Sequence, residues 1–590
     1  MIPIVFRSKS LRGFAAAAVL LSVAPAFATT TAATPAVATA AAKASSVPNP
    51  KWSPFLDAYR EAYFAAEPAF AVSQGRHEFD GKLPDWSAAG IKKQVAWLKQ
   101  QRKLAAAFKD ASLTPEQRFE RDYLLARIDI DLFWSDEAAE PFHNPSYYLD
   151  GGLEPSVYIA RPYAAADVRL KAFTAYLKAI PVAIAQIRAN LKTPLPKTFV
   201  ERGIAAFGGY ASFYRDDAPK AFASVTDAAL QADFKAAIEP AAQAMQGMAD
   251  WLTSEQPKAT DNFALGPKKF ADMLWKTERV NTPLKRLEAV GRADLARNLA
   301  ALKDACAQVL PGGTLHACVD QVNADKPQGG AVEGARAQLD ELRQFVIDNK
   351  LVTIPSTEKA LVDEAPAYQR WNFAYIDIPG PYDKGMPSTY YIAPPDPSWP
   401  KAEQDAYTPG RNVLLFTSSH EVWPGHFLQF LHSNRSSFQF GQLFVGYAFA
   451  EGWAHYSEEM MWEAGLGKNA PAVHVGQLSE ALLRNVRFLC AIGMHTQGMK
   501  VEACEKMFLE DGFQDAGNAR QQAARGTYDP AYLNYTLGKL MIRKLRSDWT
   551  ASRGGRDAWL AFHDQFLSYG GPPIPLVREQ MLGKNSGSLF

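Results

Sequence analysis

The sequence predicts a mainly α protein, a large two-lobed helical fold with a few short strands. Three observations lead there. The chain has 590 residues, enough to bury a large core. Hydrophobic residues make up 47% and charged residues 21%, which is ordinary globular usage rather than that of a disordered or fibrous chain. Apolar residues recur at three- and four-residue spacing along most of the chain, separated by Pro or Gly breaks.

Taken in order, the chain opens on Arg7, Lys9 and Arg12, an apolar run over 14–23 and an A-x-A pattern ending at Ala28. This reads as a signal peptide over 1–28, cleaved near Ala28, and implies a periplasmic or secreted protein. No other stretch approaches twenty uninterrupted apolar residues, so stable membrane insertion is not expected. No cysteine follows the apolar run closely, so a lipid anchor is not expected either. Residues 29–50 are Ala, Thr, Ser and Pro, a linker composition, and the folded part should begin near Trp52.

Over 51–350 the segments 88–110, 114–134, 164–192, 217–253 and 282–308 read as helices, forming a helical scaffold. Between 371 and 417 the texture turns aromatic and β-branched, and strands are predicted at 371–378, 389–392 and 413–417. Helical periodicity returns after Ser418. The region 351–590 carries the candidate chemistry and is expected to be continuous with the scaffold.

Composition also excludes. Loss of residues 1–28 removes three basic and no acidic residues and takes the formal charge from +1 to −2, so no electrostatic footprint for nucleic acid remains. There is no GxSxG elbow, phosphate-binding loop or Rossmann glycine fingerprint. The four cysteines, 306, 318, 490 and 504, include no CxxC. Their order suggests local bridges, Cys306 with Cys318 and Cys490 with Cys504, with free buried thiols as the alternative.

Chemistry concentrates in 420–426, HEVWPGH. Zinc hydrolases commonly place two imidazoles on one helix with a glutamate next to the first. His420 and Glu421 begin such a set, but position 424, where the second His would fall, is Pro424, and the next imidazole is His426. Six residues of ideal helix leave two side chains about 120° apart, so both reach one ion only if the backbone is distorted between them. Pro424 and Gly425 supply a place for a bulge. Downstream, 451–458 reads EGWAHYSE, and Glu451 could complete a His, His, Glu set. His455 and Glu458 lie at helical spacing from it, as partners that orient a ligand or as an ordinary helix face. His432 reads as peripheral.

HExxPGH followed by EGWAxYxE resembles the domain of unknown function 885 (DUF885) family, a group usually regarded as zinc metallopeptidases. GRHEFD at 75–80, YTLG at 535–538 with Leu545 and Arg546, and RxVR then GxH over 484–495 also resemble family stretches, although Ala491 stands where an acidic residue is expected. The resemblance implies one Zn2+ held by His420, His426 and Glu451, and Glu421 as the base that takes a proton from water and returns it to the leaving amine. His495 and Tyr535, in segments the resemblance marks, are the candidate oxyanion donors.

Arg484 and Arg487, three apart on one helix, could grip a substrate's terminal carboxylate or serve internal salt bridges. The run ending in Tyr391 could be an edge strand on which an extended peptide is laid, or a buried aromatic strand. The expected function is an exported zinc-dependent peptidase acting on oligopeptides. The alternatives are a zinc amidase or esterase of a small non-peptide substrate, a catalytically inactive peptide-binding protein, and a closed structural site with His455 as fourth ligand. Retention of Glu421 beside His420 argues against the last two.

Overall fold

Helix boundaries follow capping signals written in the sequence. The computed structural model describes Ser45 and residues 47–590, apart from 367, 368, 371, 372 and 585. The expected leader and most of the linker lie outside the described residues. The first helix, α1 (Trp52–Ala66), starts where the sequence predicts. Ser87 accepts a hydrogen bond from the Gly90 amide and opens α2 (Ala88–Ala107). Thr114 and Gln117 form a reciprocal capping box with Pro115 at the first helical position of α3 (Pro115–Leu132).

Helix α4 (Ala166–Asn190) follows, then α5 (Lys197–Asp216). The expected helix over 217–253 is instead a four-residue turn of helix, Ala218–Ala221, and α6 (Ala228–Glu255), because Asp227 caps a fresh start by accepting from the Ala229 and Leu230 amides. The scaffold continues through α7 (Gly266–Glu278), α8 (Leu284–Val309), α9 (Leu315–Ala324) and α10 (Gly330–Asp348). Disulfides join Cys306 on α8 to Cys318 on α9, and Cys490 to Cys504 further on, the two local pairings suggested above.

The strands are β1 (Leu361–Glu364), β2 (Ala374–Asp377) and β3 (Thr389–Ile392), in the order β1-β3-β2. β3 runs parallel to β1 and antiparallel to β2, so it is the central strand and both its edges are occupied. The predicted strand over 413–417 is helical. It lies within α11 (Arg411–Glu421), where Leu414, Leu415 and Phe416 are buried. A short buried apolar run carries no period that separates strand from helix, and packing on neighbouring helices decided it.

Next come α12 (His426–Ser433), α13 (Tyr447–Glu463), α14 (Pro471–Thr496), α15 (Val501–Glu510), α16 (Ala516–Tyr528) and α17 (Asn534–Thr550). The core is three apolar clusters. One packs α1, α2 and α3 around Tyr59, Phe119 and Phe440, a second belongs to α4, α5 and α6, and the third and largest runs from α7 to the C-terminal helices. α14 is buried along almost its whole length from Val475 to His495 and forms the axis of the largest cluster.

One contact within that cluster sets a key spacing. A Cβ on Gly452 of α13 would stand 2.4 Å from the Gly538 Cα of α17, and one on Gly538 would stand 2.1 Å from the Ala448 carbonyl oxygen. The two helices therefore touch backbone to backbone, which only glycine at both positions allows.

Candidate metal centre

His420 and His426 reach one another because the helix stops between them. α11 ends at Glu421 and α12 starts at His426, so the expected bulge in one helix is a full break between two. The Trp423–Pro424 peptide is cis. The Gly425 amide donates to the Ser419 carbonyl (2.9 Å), and the Trp453 indole of α13 donates to the Pro424 carbonyl (2.8 Å). A Cβ on Gly425 would fall 1.7 Å from the His420 carbonyl oxygen, so no side chain fits there. The outcome is two imidazoles crossed at 89° with centroids 4.8 Å apart.

Glu451, on the second turn of α13, completes the group. Donor atoms of His420, His426 and Glu451 all lie within 4.8 Å of one another. Glu451 Oε2 is buried and accepts no hydrogen bond, yet stands 3.2 Å from His420 Nε2 and 3.3 Å from His426 Nε2. Ligands about 2.0–2.1 Å from one tetrahedral ion are about 3.3–3.4 Å apart, so this donor set has the spacing of a shared cation. Burial alone would lower the His420 pKa, but the carboxylates of Glu451 and Glu458 outweigh it and raise it to about 9. Burial would raise the Glu451 pKa; the charge of His426 and the contacts with both imidazoles hold it well below the usual carboxylate range. The electrostatic environment thus favours positive charge at the point where the three side chains meet.

A second layer fixes His420. With Nε2 turned to the cluster, Nδ1 carries the proton and donates to Glu458 Oε1 at 2.7 Å. Glu458 is fully buried and is shared with His455 Nδ1 (3.2 Å) and Arg484 (3.4 Å). His455 therefore bonds to the orienting carboxylate and contributes no ligand atom; burial lowers its pKa to about 3 and keeps it neutral. Glu421, at the end of α11, is buried beside both imidazoles, and burial raises its pKa. The ring of Tyr535, first turn of α17, lies nearly parallel to His420 with centroids 6.2 Å apart.

Other expected site residues fall elsewhere. His495 accepts from the Leu265 amide at Nδ1 (3.3 Å) and donates from Nε2 to the Gly526 carbonyl (2.8 Å), so both nitrogens are spent on backbone. It also lies eleven residues along α14 from Arg484, a rise of about 16 Å. It is a packing histidine and not an oxyanion donor. Tyr391 sits on the central strand, which leaves no free edge for a peptide, and its ring stacks on Tyr375 (5.2 Å) in a cavity of about 250 Å³ with Glu154 and Asp377. Successive strand residues face opposite ways, so the neighbour Tyr390 is the one that faces Glu421.

Arg484 is committed to Glu458 and Glu480 and lies 3.4 Å from His420 Nδ1, so it is an internal salt-bridge partner. Arg487 stays at the site, with its guanidinium carbon 4.9 Å above the Tyr535 ring. His432 is peripheral, bonded to the Thr353 carbonyl. Two residues were missed. Tyr447 packs edge-on to Tyr535 (5.9 Å) and Arg525 Nη2 donates to the Tyr447 hydroxyl (3.0 Å). Tyr447 precedes Glu451 by four residues, one helical turn, and that spacing was a usable signal; nothing local marks Arg525.

A family model described as "Bacterial protein of unknown function (DUF885)" matches residues 68–581. Two solved structures are similar over 90% of this chain at TM-score 0.74. One is described as a "putative lipoprotein of unknown function" from Shewanella oneidensis, 24% identical and matched over 99% of its length. The other is a "putative lipoprotein" from Colwellia psychrerythraea, 18% identical and matched over 97%. At these identities the likeness concerns the fold. No curated protein matches the chain.

Proposed function

The chain belongs to the DUF885 family, and from that premise and the centre above we propose that it is an exported zinc-dependent peptidase that hydrolyses oligopeptides. The observation that carries the reading is the convergence of His420 Nε2, His426 Nε2 and Glu451 Oε2 at 3.2 and 3.3 Å with Glu421 adjoining His420 on the same helix. A closed structural site wants a fourth protein ligand, and among the described residues the group has three.

His420, His426 and Glu451 would hold the ion, which when bound supplies Lewis acidity and lowers the pKa of water at the open position towards neutrality. Glu421 accepts a proton from the attacking water at its carboxylate and returns it to the departing amine nitrogen. Its raised pKa suits that exchange, because a carboxylate nearer neutrality both takes and gives a proton readily. Glu458 holds His420 in one tautomer and one orientation. Tyr535, facing His420, is the remaining candidate to donate a hydrogen bond to the carbonyl oxygen as it gains charge.

Export rests on the leader-like sequence over 1–28. The similar structures are each described as a "putative lipoprotein", a description that agrees with export. A zinc amidase or esterase acting on a small non-peptide substrate would use the same centre.

The test is metal content together with peptide products by mass spectrometry for the purified protein and Glu421→Gln. The expected result is about one zinc per chain in both and products from the unchanged protein alone. Zinc without peptide products would refute the peptidase reading, and no metal in either would refute the ligand set.

A further inference from the structure

The two arginines of α14 are alike in sequence and opposite in circumstance. Arg484 faces Glu458 and Glu480. Arg487, one turn on and 7% exposed, has no carboxylate within ion-pair distance among the described residues. Its Nε donates to the neutral Gln522 (2.8 Å), and its two Nη atoms bond to no described protein group. Its other charged and titratable neighbours include Arg525, Arg484, Tyr535, Tyr447 and Tyr532, and the two cations beside it push its own pKa down in addition to burial. Arg525 is neutralised by Asp529 (2.9 Å). A buried guanidinium among two other arginines, with five donors of which one is used, is an uncompensated charge that an anion would neutralise.

Its position says which anion. Tyr535 neighbours both it and the ligand group: the Arg487 guanidinium carbon is 4.9 Å from the Tyr535 ring centre, which is 6.2 Å from the ring of His420. Laid end to end, those two steps bound the separation, and two or three extended residues at about 3.3–3.6 Å each cover it. A peptide carbonyl at the centre thus brings a carboxylate two or three residues downstream to the guanidinium. Bidentate geometry suits Arg to a carboxylate.

We propose, building on the peptidase reading, that Arg487 binds the free α-carboxylate at the end of the substrate, and that the protein releases residues from peptide carboxy termini. The α-carboxylate is the source committed to, because a side-chain carboxylate would need an acidic residue just after each cleaved bond. Tyr535 forms the floor on which the terminal residue rests.

The experiment compares one peptide as free acid and as C-terminal amide, and a third amidated peptide with Glu in its last position. With the unchanged zinc-loaded protein, kcat/KM should fall on the order of 10- to 100-fold from acid to amide, chiefly through KM, with no rescue by the Glu side chain. In Arg487→Lys and Arg487→Met the acid-to-amide ratio should collapse towards one. Binding of the same peptides to Glu421→Gln by calorimetry should show the same acid preference without turnover. Equal cleavage and equal binding of acid and amide by the unchanged protein overturn the proposal while leaving the peptidase reading intact. Rescue by Glu assigns the pocket to side-chain carboxylates and also overturns it. Acid-selective binding with no cleavage of any peptide removes the peptidase reading but keeps the carboxylate pocket.

Discussion

Replacing Glu458 by Gln tests whether the buried layer behind His420 sets the affinity of the centre. The change is isosteric and keeps an acceptor for His420 Nδ1, 2.7 Å away, but removes the negative charge that Arg484 meets at 3.4 Å and His455 at 3.2 Å. Two effects follow, and they are separable. Loss of an orienting carboxylate behind a ligating histidine typically lowers metal affinity 10- to 100-fold, about 1.4–2.8 kcal/mol. Breaking a buried pair from one side costs about 3–5 kcal/mol, and because Arg484 retains Glu480 the expected loss lies at the lower end, about 3 kcal/mol. Affinity is read by competition with a chromophoric zinc chelator, and stability by urea unfolding of the metal-free protein. A variant whose zinc affinity stays within about threefold of the original while its urea midpoint is unchanged would refute the argument, because the charge of His420's partner would then not matter.

Further outcomes concern backbone and pH. Gly425→Ala places a methyl 1.7 Å from the His420 carbonyl oxygen, so the two histidines must separate; zinc binding should fall by at least tenfold in chelator competition, with about 1–3 kcal/mol of lost stability in urea. His77 offers a pH test away from the centre. Burial would lower its pKa, but Asp383 (2.9 Å) and Asp80 (3.1 Å) raise it to about 9. A raised folded-state pKa gives stabilisation that is complete below the unfolded value near 6.5 and is lost as pH rises through 9, worth at most about 3 kcal/mol. The stability difference between the original protein and His77→Gln, by urea midpoints, should therefore shrink from pH 6 to pH 9.5; a constant difference would show that His77 is not held protonated.

The cluster of His420, His426 and Glu451 was legible because each member belongs to a short motif whose spacing has a physical reading: adjacent His and Glu, a Pro-Gly break, and a glutamate one helix later. What resisted reading depends on partners far along the chain. His495 looked available, and the groups that occupy it belong to Leu265 and Gly526. Tyr391 lies on a strand as predicted, yet β3 is central because β1 pairs with it from a segment without strand texture. The helix over 413–417 carries the apolar density of a strand, and the cue that separates them is the break at Gly410, whose extended backbone starts α11. Arg484 and Arg487 are indistinguishable by sequence, and only the fold divides them between an internal ion pair and an open charge.

The glycine pair at 452 and 538 has a use outside this molecule. Since neither position accommodates a Cβ while α13 and α17 touch, a side chain at either would force the helix bearing Glu451 away from the helix bearing Tyr535. Divergent relatives can thus be sorted by two small letters in their sequences: those keeping glycine at both can hold the ligand carboxylate and the facing phenol together, and those with a larger residue at either need a rebuilt floor even where every histidine survives.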